Sequence, residues 1–576
     1  MQNITKQLIL FISFFFYSLA YSTTNQPTSY QNELYQHASP YLAMHGQDPV
    51  NWLNWQASAL TKAKHENKII MISSGYFSCH WCHVMQKNNY HDTKTAEYLN
   101  QHFISVKIDR ELTPDLDRYL IDFAQKAAGH AGWPQHVFLT PEGYPFYAFT
   151  YKPNPDFLLT LNKIQNFWKH SANKVIATAK ASAQPIKSQP VETINKTKFY
   201  QAFKQQLTLR MDTLSGGLKG ANKFPNASIL KTALLLPNSD EEISEWLITS
   251  LNQMQSQHLF DHIYGGFYRY TIDPAWQTPH FEKMLYTQAQ LAEIYYIASQ
   301  KYQRQDYLNT ANATLAYVEQ QLYHPASGLY QSSQSAVDKN QIEAADYAWT
   351  QAQLKQQLNP QEFKQVAEEW LSQPTEYQIP DKKETESAWH PLPTQRYWQT
   401  IQHKLANSKF KPATAIPTDT KSILGWNGLL LSAFAKAVEL KQRPANVAEK
   451  LAISLIDNLN KTAPPRAISA NNQNMGSANI QDYAYIIQGI QNWATVSQNI
   501  KLKKQADQFK QQAKTKFHTQ QGWRYSDSPI LPNQIGTNLI KDSAIPSPTA
   551  ILDCQLIKLT LRNPLSYASY AQTDCQ

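Results

Sequence analysis

The stretch IIMISSGYFSCHWCH, Ile69–His83, joins a short apolar run to a closely spaced pair of cysteines. The run Ile69–Ser73 is typical of a buried β-strand, because short apolar segments of this kind suit a strand enclosed on both faces. Cys79 and Cys82 follow it in a C-x-x-C-H arrangement that ends at His83. This arrangement is found at c-type haem attachment sites, in zinc sites and in thiol–disulfide redox sites.

The context of the cysteines separates these three kinds of site. Haem attachment would use His83 as an axial ligand, but it needs a wide apolar pocket that a compact α/β domain does not offer. A structural zinc site takes four ligands, commonly in two pairs. His80, His83 and His91 are close in sequence, but no second pair has metal-site spacing. The redox interpretation fits better, and we expect no metal.

A strand that leads directly into the cysteines places Cys79 at the start of a helix. Unpaired N–H groups and the helix dipole favour a thiolate at that position. We therefore expect Cys79 to be the exposed nucleophile and Cys82, one turn later, to resolve the mixed disulfide. His80 adds positive charge near Cys79, and His80 and Trp81 together are expected to tune the pair. The expected cofactor is none beyond a redox-active Cys79–Cys82 disulfide.

Alternating strands and helices continue around this motif. Runs such as Ile104–Ile108 indicate further strands, and Asp92 is a plausible helix cap. Pro155–His170 is expected to be the closing helix of this part. Trp133–Pro134 precedes a strand near Val137, where a thioredoxin fold places a cis-proline opposite the cysteines. An X–Pro bond is the realistic place for a cis peptide, although an ordinary trans loop proline is the alternative. Trp133 and Pro134 would shape the groove for a substrate strand.

The sequence divides into four parts. Residues 1–22 are expected to be a signal peptide, 27–178 a thioredoxin-like domain, 179–194 a linker, and 195–576 a helical domain. In the last part, helical segments alternate with Gly-plus-aromatic segments such as GGFYRY at Gly265, GLYQSS at Gly328 and GWRYSD at Gly522. Recurring helix pairs of this kind favour a closed ring of helical hairpins over a generic all-α domain.

The N-terminal segment predicts an extracytoplasmic protein. Lys6 precedes the apolar run LILFISFFFYSL, Leu8–Leu19, and small residues follow at Ala20 and Ser22. A run of about 12 apolar residues is short for a membrane span, which needs about 20, so cleavage is favoured over an uncleaved anchor. We expect a secreted or periplasmic protein without a stable membrane span after cleavage.

Composition limits the remaining alternatives. Of four cysteines, Cys554 and Cys575 lie near the C-terminus and are either a disulfide or two free thiols. The net charge of +9 comes without a dense Lys/Arg run, and nucleic-acid binding usually requires a clustered basic face. We therefore expect no nucleic-acid partner.

Several longer motifs closely resemble the spermatogenesis-associated thioredoxin-like family, which spans bacteria to animals. They cover nearly the whole chain beyond the N-terminal segment and include SPYLAMHGQDPVNWLNW (Ser39–Trp55), SCHWCHVM (Ser78–Met85), VKIDRE (Val106–Glu111), GWPQHVFLTPEGYPF (Gly132–Phe146), GGLKGANKFP (Gly216–Pro225), DHIYGGFYRY (Asp261–Tyr270), PHFEKMLY (Pro279–Tyr286), WNGLL (Trp426–Leu430) and DYA (Asp482–Ala484). The resemblance implies an α/β thioredoxin-like domain followed by an all-α (α/α)6 toroid similar to six-hairpin glycosidases and sugar 2-epimerases.

Such a toroid implies candidate substrate-binding residues. His280 and Glu282 can pair as acid and base in a sugar-lined cavity, with Asp482 as a further carboxylate. The other candidates are Trp276, Trp426 and Tyr483, which can stack on a sugar ring, and Asn427 in WNGLL. Two departures from the family pattern favour a packing role instead. Gln334 and Ser335 stand where acids are expected, and Tyr268 stands where the family usually has His.

Three functional hypotheses remain open from the sequence. The leading one is a thiol–disulfide oxidoreductase whose partner is a protein thiol or disulfide client or a thiol reductant. The second is a carbohydrate-active protein with a sugar ligand in a deep cavity lined by His280, Glu282, Trp426 and Asp482. The third is a binding module in which the cysteines tether a client that the toroid recognises.

Overall fold

The fold is described from a computed structural model of the chain. The residues described are 32–183, 192–236, 240–370, 377–378, 387–409, 415–527, 529–532, 537, 539–553 and 558–572. The predicted signal peptide, Cys554 and Cys575 therefore lie outside the described residues.

The N-terminal domain is built on a four-stranded sheet with the order β2-β1-β3-β4. The strands are β1 Ile69–Gly75, β2 Phe103–Asp109, β3 Gln135–Leu139 and β4 Pro145–Phe149. β1 pairs in parallel with β2 and antiparallel with β3, and β3 pairs antiparallel with β4. β1, β2 and β3 are buried along their whole length, which explains the apolar residues within them, although polar residues such as Lys107 and His136 are buried there as well.

Helices cover both faces of this sheet in the predicted order. They are α1 Pro40–Met44, α2 Ala57–Glu66, α3 His80–Met85, α4 Thr93–His102, α5 Pro114–Ala128 and α6 Asn154–Ser182. The Asp92 carboxylate accepts a hydrogen bond from the Thr95 amide at 2.8 Å, which confirms the predicted cap of α4. α6 continues beyond its predicted end near His170, through a kink at Ser171. It thus enters the predicted linker, of which residues 184–191 lie outside the described part.

The second domain consists mainly of paired helices. They are α7 Lys196–Arg210, α8 Ala227–Leu234, α9 Glu241–Ser256, α10 Leu285–Tyr302, α11 Gln305–Tyr317, α12 Gln351–Gln357, α13 Pro360–Glu369, α14 Trp398–Ala406, α15 Leu424–Glu439, α16 Ala445–Leu459, α17 Ile480–Val496, α18 Ile500–Phe517 and α19 Pro548–Leu552. α10, α15 and α17 are buried on nearly all sides and pack on one another, while α11, α16 and α18 pack outside them. The C-terminal 3-10 segment Pro564–Ala571 packs on α7 and α8 and brings the two ends of the domain together.

Short strands join the helices, as the Gly-plus-aromatic segments predict. They are β5 Tyr270–Thr271, β6 Pro279–His280, β7 Lys283–Met284, β8 Tyr323–His324, β9 Leu329–Tyr330, β10 Ser333–Gln334, β11 Trp349–Thr350, β12 Tyr377–Gln378, β13 Ser387–Trp389, β14 Thr418–Asp419, β15 Ser422–Ile423, β16 Pro465–Ile468, β17 Asn474–Ser477, β18 His518–Thr519 and β19 Gly522–Trp523. The fold is therefore an α/β thioredoxin-like domain followed by an α/α toroid. α12, α13 and α14 depart from the hairpin pattern, since they enclose a separate small core that includes Trp349, Leu354 and Ile401.

Across the part of the chain that the structure describes, no helix combines the length and apolar character that crossing a membrane requires.

A disulfide site closed by the helical domain

The cysteine pair lies at the end of the central strand β1. Cys79 and Cys82 form a disulfide, and Cys79 is the N-cap of α3, where its Sγ accepts a hydrogen bond from the Cys82 amide at 3.2 Å. Gly75, the last residue of β1, leaves room for this arrangement. A Cβ built on Gly75 would lie 2.8 Å from Cys82 Sγ and closer still to the Tyr41 hydroxyl.

The predicted proline lies beside this pair. The Trp133–Pro134 peptide bond is cis, which confirms the prediction of a cis-proline before the next strand. Pro134 leads directly into β3, and β3 pairs with β1, the strand that precedes the cysteines. The sheet therefore brings Trp133 and Pro134 to the end of the sheet that carries the disulfide.

The prediction that Cys79 is exposed is wrong. Cys79 is only 3% exposed and Cys82 only 1%, whereas the adjacent Trp81 is 44% exposed. The reason is that the toroid covers residues 76–79, the loop that connects β1 to the disulfide. Ser78 donates to Met284 Sδ at 3.3 Å, and the backbone amide of Ala336 donates to the Ser78 carbonyl at 3.4 Å.

A charged hydrogen-bond network fastens this cover to the thioredoxin-like domain. The Tyr76 hydroxyl donates to both carboxylate oxygens of Glu282, at 2.9 and 2.8 Å. Arg269 Nη1 lies 3.0 Å from Glu282 Oε2 and also donates to the Tyr76 hydroxyl. Glu282 is one of the residues predicted to line a sugar cavity. Instead, it bonds across the domain boundary to Tyr76, which is three positions before Cys79 in the chain.

Three more titratable side chains complete the shell around the cysteines. His80 Nε2 lies 3.5 Å from Glu343 Oε2, and Glu343 Oε1 lies 3.7 Å from His280 Nδ1. His280 Nδ1 is also 3.6 Å from Glu282 Oε1. Burial, and then the neighbouring Glu282 carboxylate, raise the pKa of Glu343 to about 8, whereas burial lowers the pKa of His280. A protonated carboxyl and a neutral imidazole near a disulfide can supply and accept protons during thiol chemistry.

Trp133 forms the other border of the site. Its indole N–H donates to Asp117 Oδ1 at 2.9 Å, and Asp117 Oδ1 also accepts from Ser74 Oγ at 2.6 Å. The Arg110 guanidinium lies 3.9 Å from the centre of the Trp133 ring and 4.5 Å from that of Tyr76. Burial, which outweighs the opposing charge of Arg110, raises the pKa of the Asp117 carboxyl.

His83 and Trp81, the other candidates in the motif, make packing and hydrogen-bond contacts within the thioredoxin-like domain. His83 is buried and its Nε2 donates to the Phe77 carbonyl at 2.8 Å, so this nitrogen is committed inside the domain. The Trp81 ring packs on Tyr151, with 4.9 Å between ring centres.

The predicted substrate-binding residues of the toroid do not converge on one cavity. Of the four predicted to line it, only Trp426 borders the large cavity at the mouth of the toroid, and His280 and Glu282 lie at the disulfide instead. The Asp482 carboxylate is occupied: it accepts from the Asn479 and Gly425 amides, both at 2.9 Å, and pairs with Arg466. The prediction of a shared cavity is therefore wrong for His280, Glu282 and Asp482.

Three further candidates are also held within the fold. Trp276 is buried and its indole donates to the Ser215 carbonyl at 2.7 Å. The Asn427 side chain accepts from the Tyr330 amide and donates to the Tyr330 carbonyl, at 2.8 and 2.9 Å. Tyr483 is buried against Phe517. These contacts are those of residues that position helices and loops.

Sequence reasoning missed four residues at the site: Tyr76, Arg110, Arg269 and Glu343. Glu343 lies eight positions after Ser335. The replacement of expected acids by Gln334 and Ser335 was the sequence signal that drew attention to this part of the chain. Arg110 and Arg269 both lie within resembling motifs, VKIDRE and DHIYGGFYRY, but their convergence on Tyr76 and Trp133 depends on the tertiary fold.

The geometry defines a class of protein: a thioredoxin-like domain with a C-x-x-C disulfide that is closed by an α/α toroid. Residues 31–187 match a family model, Thioredox_DsbH, described as "Protein of unknown function, DUF255". The chain is 28% identical to the uncharacterized protein B0495.5 of Caenorhabditis elegans over 92% of this chain and 80% of that protein.

The human spermatogenesis-associated protein 20 is 33% identical to this chain over a match that covers 58% of this chain. The match spans 46% of the human protein, so about half of its length is covered. The resemblance to the spermatogenesis-associated thioredoxin-like family is thereby confirmed.

Solved structures also match parts of the chain. A D-mannose isomerase matches 58% of this chain and 74% of its own at 12% identity and a TM-score of 0.38. The cellobiose 2-epimerase of Bacillus thermoamylovorans matches 57% and 75%, at 12% identity and a TM-score of 0.36. A structure titled DsbH oxidoreductase matches 20% of this chain and 85% of its own, at 20% identity and a TM-score of 0.17.

Proposed function

We propose that the protein is a thiol–disulfide oxidoreductase that acts through Cys79 and Cys82. The observation that carries this proposal is the disulfide itself, at the start of a helix, beside a cis-proline and within a shell of His80, Glu343 and His280. Buried ionisable groups cost stability unless they are closely paired, and perturbed groups of this kind cluster at functional sites.

The reaction proceeds in two exchange steps. A thiolate of the reductant attacks Cys79 Sγ, the Cys79–Cys82 bond breaks, and Cys82 leaves as a thiolate while a mixed disulfide forms at Cys79. A second thiol of the reductant then displaces Cys79, which yields the reductant's disulfide and two protein thiols. Two electrons and two protons are transferred to the protein in total. We assign the proton transfers to His80, which is adjacent to Cys79 in the chain, and to Glu343, which lies 3.5 Å from His80.

Burial of Cys79 sets a condition on the partner. A client polypeptide or thiol reductant reaches Cys79 Sγ only when the toroid segments at Glu282, Met284 and Ala336 move away from the loop that connects β1 to the disulfide. We propose a protein thiol or disulfide as the client and a cycle in which the toroid opens and closes over the site. We further propose an extracytoplasmic location, which rests on the composition of residues 1–22.

The test is the reduction potential of the pair. Purified protein carrying Cys554→Ser and Cys575→Ser, so that Cys79 and Cys82 are its only thiols, is equilibrated in glutathione buffers and free thiols are trapped. We expect a single two-electron transition that is absent in the additional Cys79→Ser variant. Absence of any transition over the glutathione range would refute the proposal.

A carbohydrate-active enzyme is supported less well. The carboxylate of Asp482 is already bonded, and His280 and Glu282 are turned to the disulfide, so the acid and base predicted for sugar chemistry are engaged elsewhere. What favours a ligand in the toroid is the cavity beside Trp426.

A further inference from the structure

A cavity of about 720 Å³ lies between the thioredoxin-like domain and the toroid. One wall is α5 with Arg110 and Trp133. The opposite wall comprises the N-terminal parts of the toroid helices α8, α10, α15 and α17, together with residues 542–545 near the C-terminus. Cavities that bind small molecules in proteins usually have volumes of about 300 to 1,000 Å³.

Four arginines line the cavity, and two of them are paired with carboxylates, Arg118 with Asp122 and Arg466 with Asp482. The other two are Arg110 and Arg269. Both guanidinium groups lie within reach of the same two rings: Arg269 Cζ is 5.3 Å from the centre of Tyr76 and 5.6 Å from that of Trp133. Arg269 has Glu282 as its counter-ion, but Arg110 forms no ion pair with any described residue. The carboxylate of Asp117 on the same wall already accepts two hydrogen bonds from neutral donors.

The toroid side carries polar atoms without partners. The Tyr286 hydroxyl, Trp426 Nε1 and Gln481 Oε1 are buried and make no hydrogen bond, although their residues are only 2%, 3% and 8% exposed. Arg269 Nε is likewise unpartnered. Leaving such a group unsatisfied in a protein interior costs about 1 to 3 kcal/mol. All four residues line this cavity, so a ligand there would reduce a cost that the empty protein bears.

The chemistry of these groups defines the ligand. The carboxylates that line the cavity already have partners: Glu111 pairs with Lys421, Asp122 pairs with Arg118, and Asp542 accepts from the Ser547 and Ser569 amides. Among the lining groups that lack a partner, donors predominate: the Arg110 guanidinium, Arg269 Nε and the Trp426 indole N–H donate, Tyr286 can donate or accept, and Gln481 Oε1 only accepts. The first turns of three long helices add positive potential at the same wall. We propose that the cavity binds a small oxyanion with several hydroxyl groups, either a sugar carboxylate or a sugar phosphate.

In this arrangement the acidic group accepts hydrogen bonds from Arg110 and Arg269, and the hydroxyl groups pair with Tyr286, Trp426 and Gln481. Charge-assisted bonds from a guanidinium are the stronger ones and set the orientation. This proposal stands apart from the thiol chemistry, since neither cysteine lines the cavity.

The experiment measures the thermal shift and the heat of binding of the full chain with D-glucuronate, D-glucose 6-phosphate, D-glucose and inorganic phosphate at millimolar concentration. A ligand that binds only the folded state raises Tm in proportion to its affinity. We expect a shift with one or both acidic sugars and none with glucose or inorganic phosphate; which of the two acts identifies the acidic group. An equal shift with glucose or with phosphate, or no shift with any probe, would overturn the proposal.

Variants locate the binding. Arg110→Gln is expected to weaken binding of the acidic sugar at least about tenfold, because a charge-assisted hydrogen bond is lost. The matched control Arg396→Gln removes the same charge from an exposed position and is expected to bind normally. Tyr286→Phe removes only an unpartnered hydroxyl, so it is expected to fold as well as the parent while binding more weakly. Equal affinity in Arg110→Gln and Arg396→Gln would refute the assignment.

Discussion

Two buried polar clusters join the thioredoxin-like domain to the toroid, and they are built differently. In the first, Lys421 Nζ of the toroid lies 2.8 Å from Glu111 Oε2 and 3.2 Å from Asp109 Oδ2, and it also pairs with Asp419. In the second, around the disulfide, His80, Glu343, His280 and Glu282 approach one another at 3.5 to 3.7 Å.

The difference lies in how completely the charges are paired. Burial alone would lower the pKa of Lys421, but the three surrounding carboxylates raise it above its ordinary value, so the cation is fixed. At the disulfide, by contrast, burial raises the pKa of Glu343 to about 8, and its two imidazole neighbours lie 3.5 and 3.7 Å from its carboxylate oxygens. A fixed charge holds two domains together, whereas a loosely held proton near sulfur can take part in chemistry.

The largest expected effect is therefore on stability, at Lys421. Lys421→Met leaves Asp109, Glu111 and Asp419 buried without their cation, and breaking a buried ion pair in this way costs about 3 to 5 kcal/mol. The measurement is chemical denaturation of the variant and the parent. Lys436→Met is the matched control, since its partner Glu439 is largely solvent-accessible and such pairs contribute about 0 to 1 kcal/mol. Equal losses in both variants would show that the Lys421 cluster is not a clamp.

A smaller effect, dependent on pH, is expected at Glu343. Its pKa rises from 4.5 in the unfolded chain to about 8 in the folded protein. Between these values the folded state keeps a proton that the unfolded state has lost, so stability falls as the pH increases through this window. The glutamine side chain in the Glu343→Gln variant cannot ionise. The variant is therefore expected to lack this contribution to the fall in unfolding free energy with pH.

The measurement compares unfolding free energies of the two proteins at about pH 5 and about pH 8. The difference between parent and variant should change by a few kcal/mol over that range, in favour of the variant at high pH. Glu97→Gln, at an exposed position, is the control and should leave the pH dependence of the parent intact. A parallel pH dependence in Glu343→Gln would mean that Glu343 is ionised throughout.

The sequence predicted the local part of this site well. Cys79, Cys82, Trp133 and Pro134 were found because their roles depend on short-range patterns: a strand leading into a helix cap, and an X–Pro bond before a strand. The order of strands and helices along this domain follows from the same alternation, whereas the order of strands within the sheet was not predicted. The kinked extension of α6 was missed, since no proline or glycine marked its predicted end.

The tertiary part of the site could not be predicted in this way. The resemblance placed His280 and Glu282 in a sugar cavity, but Glu282 bonds to Tyr76, 206 positions earlier in the chain. Covering the cysteines with the toroid also reverses the expected exposure of Cys79. Contacts between domains depend on how the two folded surfaces dock. The periodicity of a sequence predicts the helices and strands within each domain but not this docking.

The smallest effect tests whether the cover opens. Tyr76→Phe removes the hydroxyl that donates to Glu282 and accepts from Arg269, while the aromatic ring keeps its packing. Loss of a hydrogen bond worth about 1 kcal/mol should increase the open population about fivefold. After reduction, Cys79 should be alkylated by iodoacetamide faster by that factor. Tyr35→Phe, at a position 58% exposed, controls for loss of a phenol elsewhere. If Cys79 reacts equally fast in the parent, Tyr76→Phe and Tyr35→Phe, the toroid does not gate the disulfide, and the second cluster is a fixed contact like the first.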